Sequence, residues 1–402
     1  MAAIAAAAVV LVLSSCSSDS VALPAGSTGP SSTETAGTAG TTDVDDPTAA
    51  TSDIDDDTMP ATSTAAASSD ESAATRALFA DVAVGDPGCS VAVSRNGRMA
   101  FAEAYGSASL DPAVPMTPDT VVDIGSVAKQ FTATAIALLS ERGTVDLDEP
   151  LMVYVPGLPE WASEVTIRQM LHHTSGIPDY VDLLVDSGID YSDPSTDAGA
   201  LNALAGAPAL DFEPGTSWKY SNSNYFLLGQ VVLEVTGDSL GSYLASTVFG
   251  PLSLDAVMDP TAEIDGTATS YEQVDGEWVV ADSPWEQTGD GGIRTTPTQL
   301  VSWAAQYWDP TIGDDDINSL RLDDAVDTDV DGEKYGFGII ESAFEGERVL
   351  QHSGAWAGFA SSFVVAPDQQ LAVAVTCTSD ETFPDSDNGD IGFDILALWL
   401  PK

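Results

Sequence analysis

Ser126 and Lys129 stand at the head of a run whose apolar members, Val127, Phe131, Ala135, Leu138 and Leu139, recur at helical spacing before Gly143. The spacing predicts a helix opened by Ser126, with the hydroxyl and the amine on one face. Gly143, just past the last periodic residue, is the expected stop. Unpaired backbone N–H groups and the positive end of the helix dipole gather at such a start, so a serine alkoxide forming there is stabilised. A lysine pressed against it is biased towards its neutral, proton-accepting form. Ser-x-x-Lys is thus a nucleophile pattern; a capping serine beside a surface lysine is the competing explanation. Of the four lysines, only Lys129 has serine three residues before it.

Charge narrows the range of partners. Among 402 residues, 63 are acidic and 12 basic, so nucleic acid is excluded by repulsion and anionic lipid is a poor partner for the folded part. Residues 17–72 contain 11 of the acids and no base, which leaves 52 acids against 12 bases elsewhere. A domain so charged repels itself unless salt screens it, and a salt-adapted protein is expected.

Residues 2–13 are an apolar run too short to span a bilayer. Leu13-Ser14-Ser15-Cys16 follows and resembles the lipobox of prokaryotic lipoproteins, with Cys16 as the lipidated residue, although no Lys/Arg-rich segment precedes it. Export and anchoring through lipid at Cys16 are expected, the only membrane contact; a frayed apolar terminus is the alternative. Residues 17–72 are Ser, Thr, Ala, Asp, Gly and Pro with few large apolar side chains, and are expected to be a disordered acidic tether reaching roughly 40 Å.

From residue 73 to 402 the pattern predicts an α+β fold: an antiparallel sheet built from both chain ends, flanked by helices, with a mainly helical lobe. A helix is expected from Glu71 through Ala83, then strands 89–94 and 99–105 joined by Asn96-Gly97, a strong hairpin signal. Leu147–Pro159 reads as loop, Thr166 as the cap of a short helix, and 223–236 and 239–248 as helices. Thr296 or Thr298 caps another through Trp308. Strands follow at 335–341, 348–352, 358–366 and 371–377, before a last helix at 391–400.

Two further motifs each occur once. Tyr220-Ser221-Asn222 brings a phenol that can relay a proton and an amide that can accept from a lysine while donating to a substrate carbonyl. His352-Ser353-Gly354 lies on a predicted strand, where glycine lets a substrate backbone come close. The backbone N–H groups of Ala355 and Ser126 are candidates for an oxyanion hole. Taken singly, the first is equally a surface turn before a helix and the second a histidine at a strand end.

Taken together with Ser126-x-x-Lys129, and with the phrases Leu171–Tyr180 and Gly291–Thr296, they give residues 73–402 a resemblance to the serine β-lactamase-like superfamily. That group includes class C β-lactamases, D-alanyl-D-alanine carboxypeptidases, D-aminopeptidases and esterases. The resemblance implies an acyl-enzyme on Ser126, with Lys129 and Tyr220 jointly handling its proton. It implies Asn222, His352, Gly354 and Ala355 as substrate contacts, and no cofactor. The substrate implied is a small ester or D-amino-acid peptide, with weak β-lactam hydrolysis beside it. His352 stands where many β-lactamases carry lysine, which tilts the expectation towards peptidase or esterase. A catalytically silent cell-envelope binding or sensor module is the reading from another class, and possession of the whole residue set argues against it.

His172-His173 has no companion ligand pattern, so no metal is expected, and structural hydrogen bonding near the active-site loop is the expected role. Tyr180 and Trp356 are candidates for the pocket wall and equally for core or rim; loops 178–215 and 259–290 are expected to shape the pocket. Cys89 begins the first strand and Cys377 ends the last, strands that the resemblance places side by side. A disulfide and two buried thiols both remain open. Oligomeric state has no signal in the sequence.

Overall fold

The computed structural model describes residues 69–314, 316–382 and 390–401, so the expected signal segment with Cys16, and the tether up to residue 68, lie outside the described residues. Eight strands make one antiparallel sheet. Their spatial order is Val326–Asp327, Lys334–Tyr335, Ile340–Phe344, Glu347–Trp356, Phe359–Ala366, Leu371–Cys377, Cys89–Arg95 and Arg98–Tyr105. The amino-terminal hairpin therefore extends the carboxy-terminal meander, as the α+β reading requires. Its turn residues Asn96 and Gly97 have φ of 53° and 69°, the left-handed pair a two-residue hairpin needs.

The two-residue period sorts side chains by size. Val91, Val93, Val373 and Val375 face the helix Ile391–Trp399 together with Phe79 and Phe101. Ala92, Ala372 and Ala374 face the opposite way, into the large core beneath the helical lobe. Small side chains there let the helix Pro297–Trp303 sit close to the sheet, where Ser94 Oγ donates to Val301 O at 3.1 Å. Each fully buried valine contributes about 1.5–3 kcal/mol. Cys89 and Cys377 are paired directly across adjoining strands and joined as a disulfide, so the bonded alternative is the one found.

The lobe is built round two buried helices, Lys129–Glu141 and Asn222–Thr236. Several expectations need correction. Ser126 does not open an α-helix: it lies in a 3-10 turn, Gly125–Ala128, and the α-helix begins at Lys129. The first helix is Ser69–Leu78, so the last few residues assigned to the tether are helical, with Asp70 and Glu71 in the favourable first turn. The stretch 147–159 includes a helical turn, Leu151–Tyr154. The expected strand 335–341 is split, because Gly336 and Gly338 leave the sheet to pack on the lobe. Helices Tyr180–Asp186 and Asp197–Gly206 were not expected; each starts on a capping side chain, Asp179 or Thr196. Thr166 does cap its helix, through a reciprocal box with Gln169, and Thr296 rather than Thr298 caps the helix that follows it.

Candidate active site

The segment ahead of Ser126 is set by glycine. Gly125 has φ of 52°, and a β-carbon on it would lie 2.7 Å from the Ala355 nitrogen. A β-carbon on Gly354 would lie 2.1 Å from the Ile124 carbonyl oxygen and 3.0 Å from the Ser126 nitrogen. The strand Glu347–Trp356 and the serine turn thus touch backbone to backbone, which brings the amides of Ser126 and Ala355 to one spot. Two side chains hold the junction: Asp123 Oδ1 accepts from Gly125 N at 2.8 Å, and Ser361 Oγ donates to Ile124 O at 2.8 Å.

Lys129 lies beneath Ser126 and is fully buried. Its ammonium donates to Ser126 Oγ at 3.0 Å, Asn222 Oδ1 at 2.9 Å and the Asp290 carbonyl at 2.7 Å. Three donors meet three acceptors, which is the full capacity of an ammonium. Burial nevertheless pulls its pKa down to about 8, against the opposing pull of Asp290 and then Asp179. Once one proton is lost, the bonds to Asn222 and Asp290 can stay while the lone pair turns to the serine hydroxyl. Lys129 is therefore suited to take the Ser126 proton.

Tyr220 stands over the same amine, its ring centre 4.8 Å from Lys129 Nζ. Its hydroxyl is buried with no hydrogen bond of good geometry, although the neighbouring Ser126 eases its ionisation. Burial outweighs that effect and holds the phenol well above its usual range, so it is neutral and disposed to donate.

His352 is neutral too: burial, then the positive charge of Lys129, push it down to about 4. Its Nδ1 faces the Ser353 carbonyl at 2.6 Å and so carries the proton, which leaves Nε2 to accept from the Tyr335 hydroxyl at 3.1 Å.

The structure brings Ser126, Lys129, Tyr220, Asn222, His352, Gly354 and Ala355 into one cluster. It also adds Asp179 and Asp290, which the sequence did not single out, and gives His173 the structural hydrogen bonding expected of it near the active-site loop. Asp179 accepts from both the backbone N and Nδ2 of Asn222, at 2.7 and 3.0 Å, fixing which end of the amide faces Lys129. Asp290 Oδ2 accepts from the Tyr180 hydroxyl at 3.0 Å. His173, in left-handed backbone at φ of 57°, uses Nδ1 to accept from Ser221 N at 3.2 Å and Asn224 Nδ2 at 3.0 Å, pinning the Tyr-x-Asn turn. Asp179 and His173 both lie in the phrase Leu171–Tyr180 and Asp290 directly precedes Gly291-Gly292, so adjacency to those phrases was the available signal.

The Beta-lactamase family model matches residues 76–396. The chain belongs to the β-lactamase family. Among its relatives, the D-aminopeptidase of Brucella ovis is 31% identical over 295 residues, covering 72% of this chain and 56% of that protein. Penicillin-binding protein 4* of Bacillus subtilis is 26% identical over 318 residues, covering 72% and 68%. The crystal structure of D-amino acid amidase from Ochrobactrum anthropi SV3 complexed with L-phenylalanine amide superposes with a TM-score of 0.69 at 25% identity, covering 82% of this chain and 99% of that one. The chain spans little more than half the length of the D-aminopeptidases that it matches.

Proposed function

We propose that this β-lactamase-family chain is a serine hydrolase that cleaves a small ester, or the amide of a D-amino acid or D-peptide, through an acyl-enzyme on Ser126. The observation that carries this reading is the Lys129 amine held on Ser126, Asn222 and Asp290 at once. In the first step Ser126 Oγ bonds to the substrate carbonyl carbon and its proton passes to neutral Lys129. The amides of Ser126 and Ala355 hold the oxyanion. Collapse breaks the bond to the leaving group, which takes a proton from the Tyr220 hydroxyl while Lys129 reprotonates the phenol. Water then releases the acyl group, its proton following the reverse route, and Ser126 is restored.

The charge of the cleft favours neutral or amine-bearing substrates over carboxylates. His352 is uncharged above pH about 4, and the ammonium of Lys129 is already bound to three acceptors. A carboxylate-bearing β-lactam is therefore a minor substrate in this reading. Export with lipid on Cys16 belongs to the same proposal: the disulfide suits an oxidising compartment, and Cys16→Ser is expected to move the protein from the membrane to the soluble fraction.

The test is labelling with a fluorophosphonate, followed by p-nitrophenyl esters, D-amino acid amides, D-Ala-D-Ala peptides and a chromogenic cephalosporin. Ser126→Ala is expected to lose the label and all turnover. A wild-type protein that neither labels nor turns over any of these would leave the silent-binder reading in its place.

A further inference from the structure

Aromatic rings run outward from the cleft without a break. Tyr180, tied to Asp290 through its hydroxyl, has its ring centre 6.3 Å from that of Trp285. Trp285 lies 5.6 Å from Tyr191 and 5.5 Å from Trp356, and the last two are 5.9 Å apart. Trp285 is the base of the group, 2% exposed, and its Nε1 donates to the Asp190 carbonyl at 3.4 Å. Glu286 N donates to Ser195 O at 2.9 Å, so the two loops that present Trp285 and Tyr191 are joined. Tyr191 is 41% exposed and Trp356 half-buried; these two form the surface.

The strand tells which side of the nucleophile they occupy. By the two-residue period, His352, Gly354 and Trp356 share a face, and Gly354 is the one against the Ser126 nitrogen. His352 and Trp356 therefore flank the nucleophile on opposite sides, each about 7 Å along the strand from Gly354. Tyr220 stands on the His352 side, their ring centres 6.3 Å apart. The departing group must receive its proton from Tyr220, so it lies on that side. The acyl portion lies towards Trp356.

We propose that Trp356 and Tyr191, backed by Trp285, form a subsite for an aromatic or large aliphatic side chain on the acyl part of the substrate. This rests on the acyl-enzyme reading above. The contact is offset or edge-on packing of side chain against ring, with the acidic loops at its margin unsuited to an anionic substituent.

The experiment compares kcat/KM for p-nitrophenyl phenylacetate and p-nitrophenyl acetate, which share a leaving group, in wild type, Tyr191→Ala and Trp356→Phe. Thermal melts serve as folding controls. The wild type is expected to prefer the phenylacetyl ester by about tenfold or more after correction for spontaneous hydrolysis. The preference should fall severalfold in Tyr191→Ala and less in Trp356→Phe, which keeps a ring. A ratio that does not move in either folded variant overturns the subsite. A second pair, methyl and benzyl acetate, varies the alcohol instead: variants that change this ratio alone would put the wall on the leaving-group side and overturn the acyl assignment. Fluorophosphonate uptake by Ser126 separates the two levels. With label and ester turnover present and the ratio unmoved, only the subsite falls; with neither, the acyl-enzyme reading falls and takes the subsite with it.

Discussion

In the proposed mechanism Lys129 is the residue on which the chemistry turns, and its surroundings pull in two directions. Burial favours the neutral amine, while Asp290 and Asp179 favour the ammonium, and the balance leaves it near pH 8. If neutral Lys129 is the base, kcat/KM rises about tenfold per pH unit below that value and levels above it. His352, neutral above pH about 4, adds no limb between pH 5 and 9. Asp290→Asn keeps the backbone carbonyl on Lys129 but removes the carboxylate that favours the ammonium. The limb is then expected to move to lower pH, by roughly half to one unit. A pH profile of kcat/KM for both proteins decides it, and a limb that stays in place or moves upward contradicts the assignment. Ser126, Lys129, Tyr220 and Asn222 were readable in the sequence because each lies in a short motif that occurs once. Asp290 was not, since its role comes from an approach to Lys129 across 161 residues and from burial, neither of which has a local spacing.

At the scale of elements, the active site depends on one strand lying directly on the serine turn. Gly354→Ala would put a methyl group 2.1 Å from Ile124 O and 2.6 Å from Ser361 Oγ, a clash with backbone that no side-chain rotation relieves. The strand must retreat, and a displacement of about 1 Å between the proposed nucleophile and the proposed oxyanion donors is expected to cost on the order of a hundredfold in kcat/KM. Ester kinetics together with a thermal melt are expected to show both a large loss of rate and a lower Tm; wild-type values in both would refute the contact. The long strands and the helices Lys129–Glu141 and Asn222–Thr236 were legible from periodicity. The split at residues 336–339 was not, because Gly338 leaves the sheet to pack on the Lys129 backbone, where its β-carbon would come within 2.6 Å. That is a tertiary demand, and it overrides a local pattern that reads as one strand. The serine turn misled for a related reason: its 3-10 geometry is imposed by Gly125 against Ala355, not by the helix that follows.

The whole molecule has to hold its sheet together against its own charge. The disulfide joins the carboxy-terminal meander to the amino-terminal hairpin of the sheet, closing a loop of 288 residues, and stabilises the fold by about 5 kcal/mol if loss of freedom in the unfolded chain is its source. Twelve cations cannot offset 63 acids. Ion pairs such as Arg76–Glu103 and Arg168–Asp148 are largely exposed and contribute little each. Most carboxylates therefore face others of the same sign, a repulsion that the unfolded chain relieves by expanding. Salt shortens the Debye length from about 10 Å at 0.1 M to about 3 Å at 1 M, which is less than the spacing of most surface charges. We propose on this ground that the fold is salt-adapted, and expect Tm to rise by about 5 °C or more between 0.1 and 1 M NaCl. Screening saturates once the Debye length falls below the charge spacing, whereas exclusion of a salt from the protein surface keeps strengthening burial as concentration grows. The curve should accordingly be steep below 1 M and shallow above it. A Tm independent of NaCl would remove the proposal, and a straight rise to several molar would assign the stabilisation to surface exclusion rather than to charge.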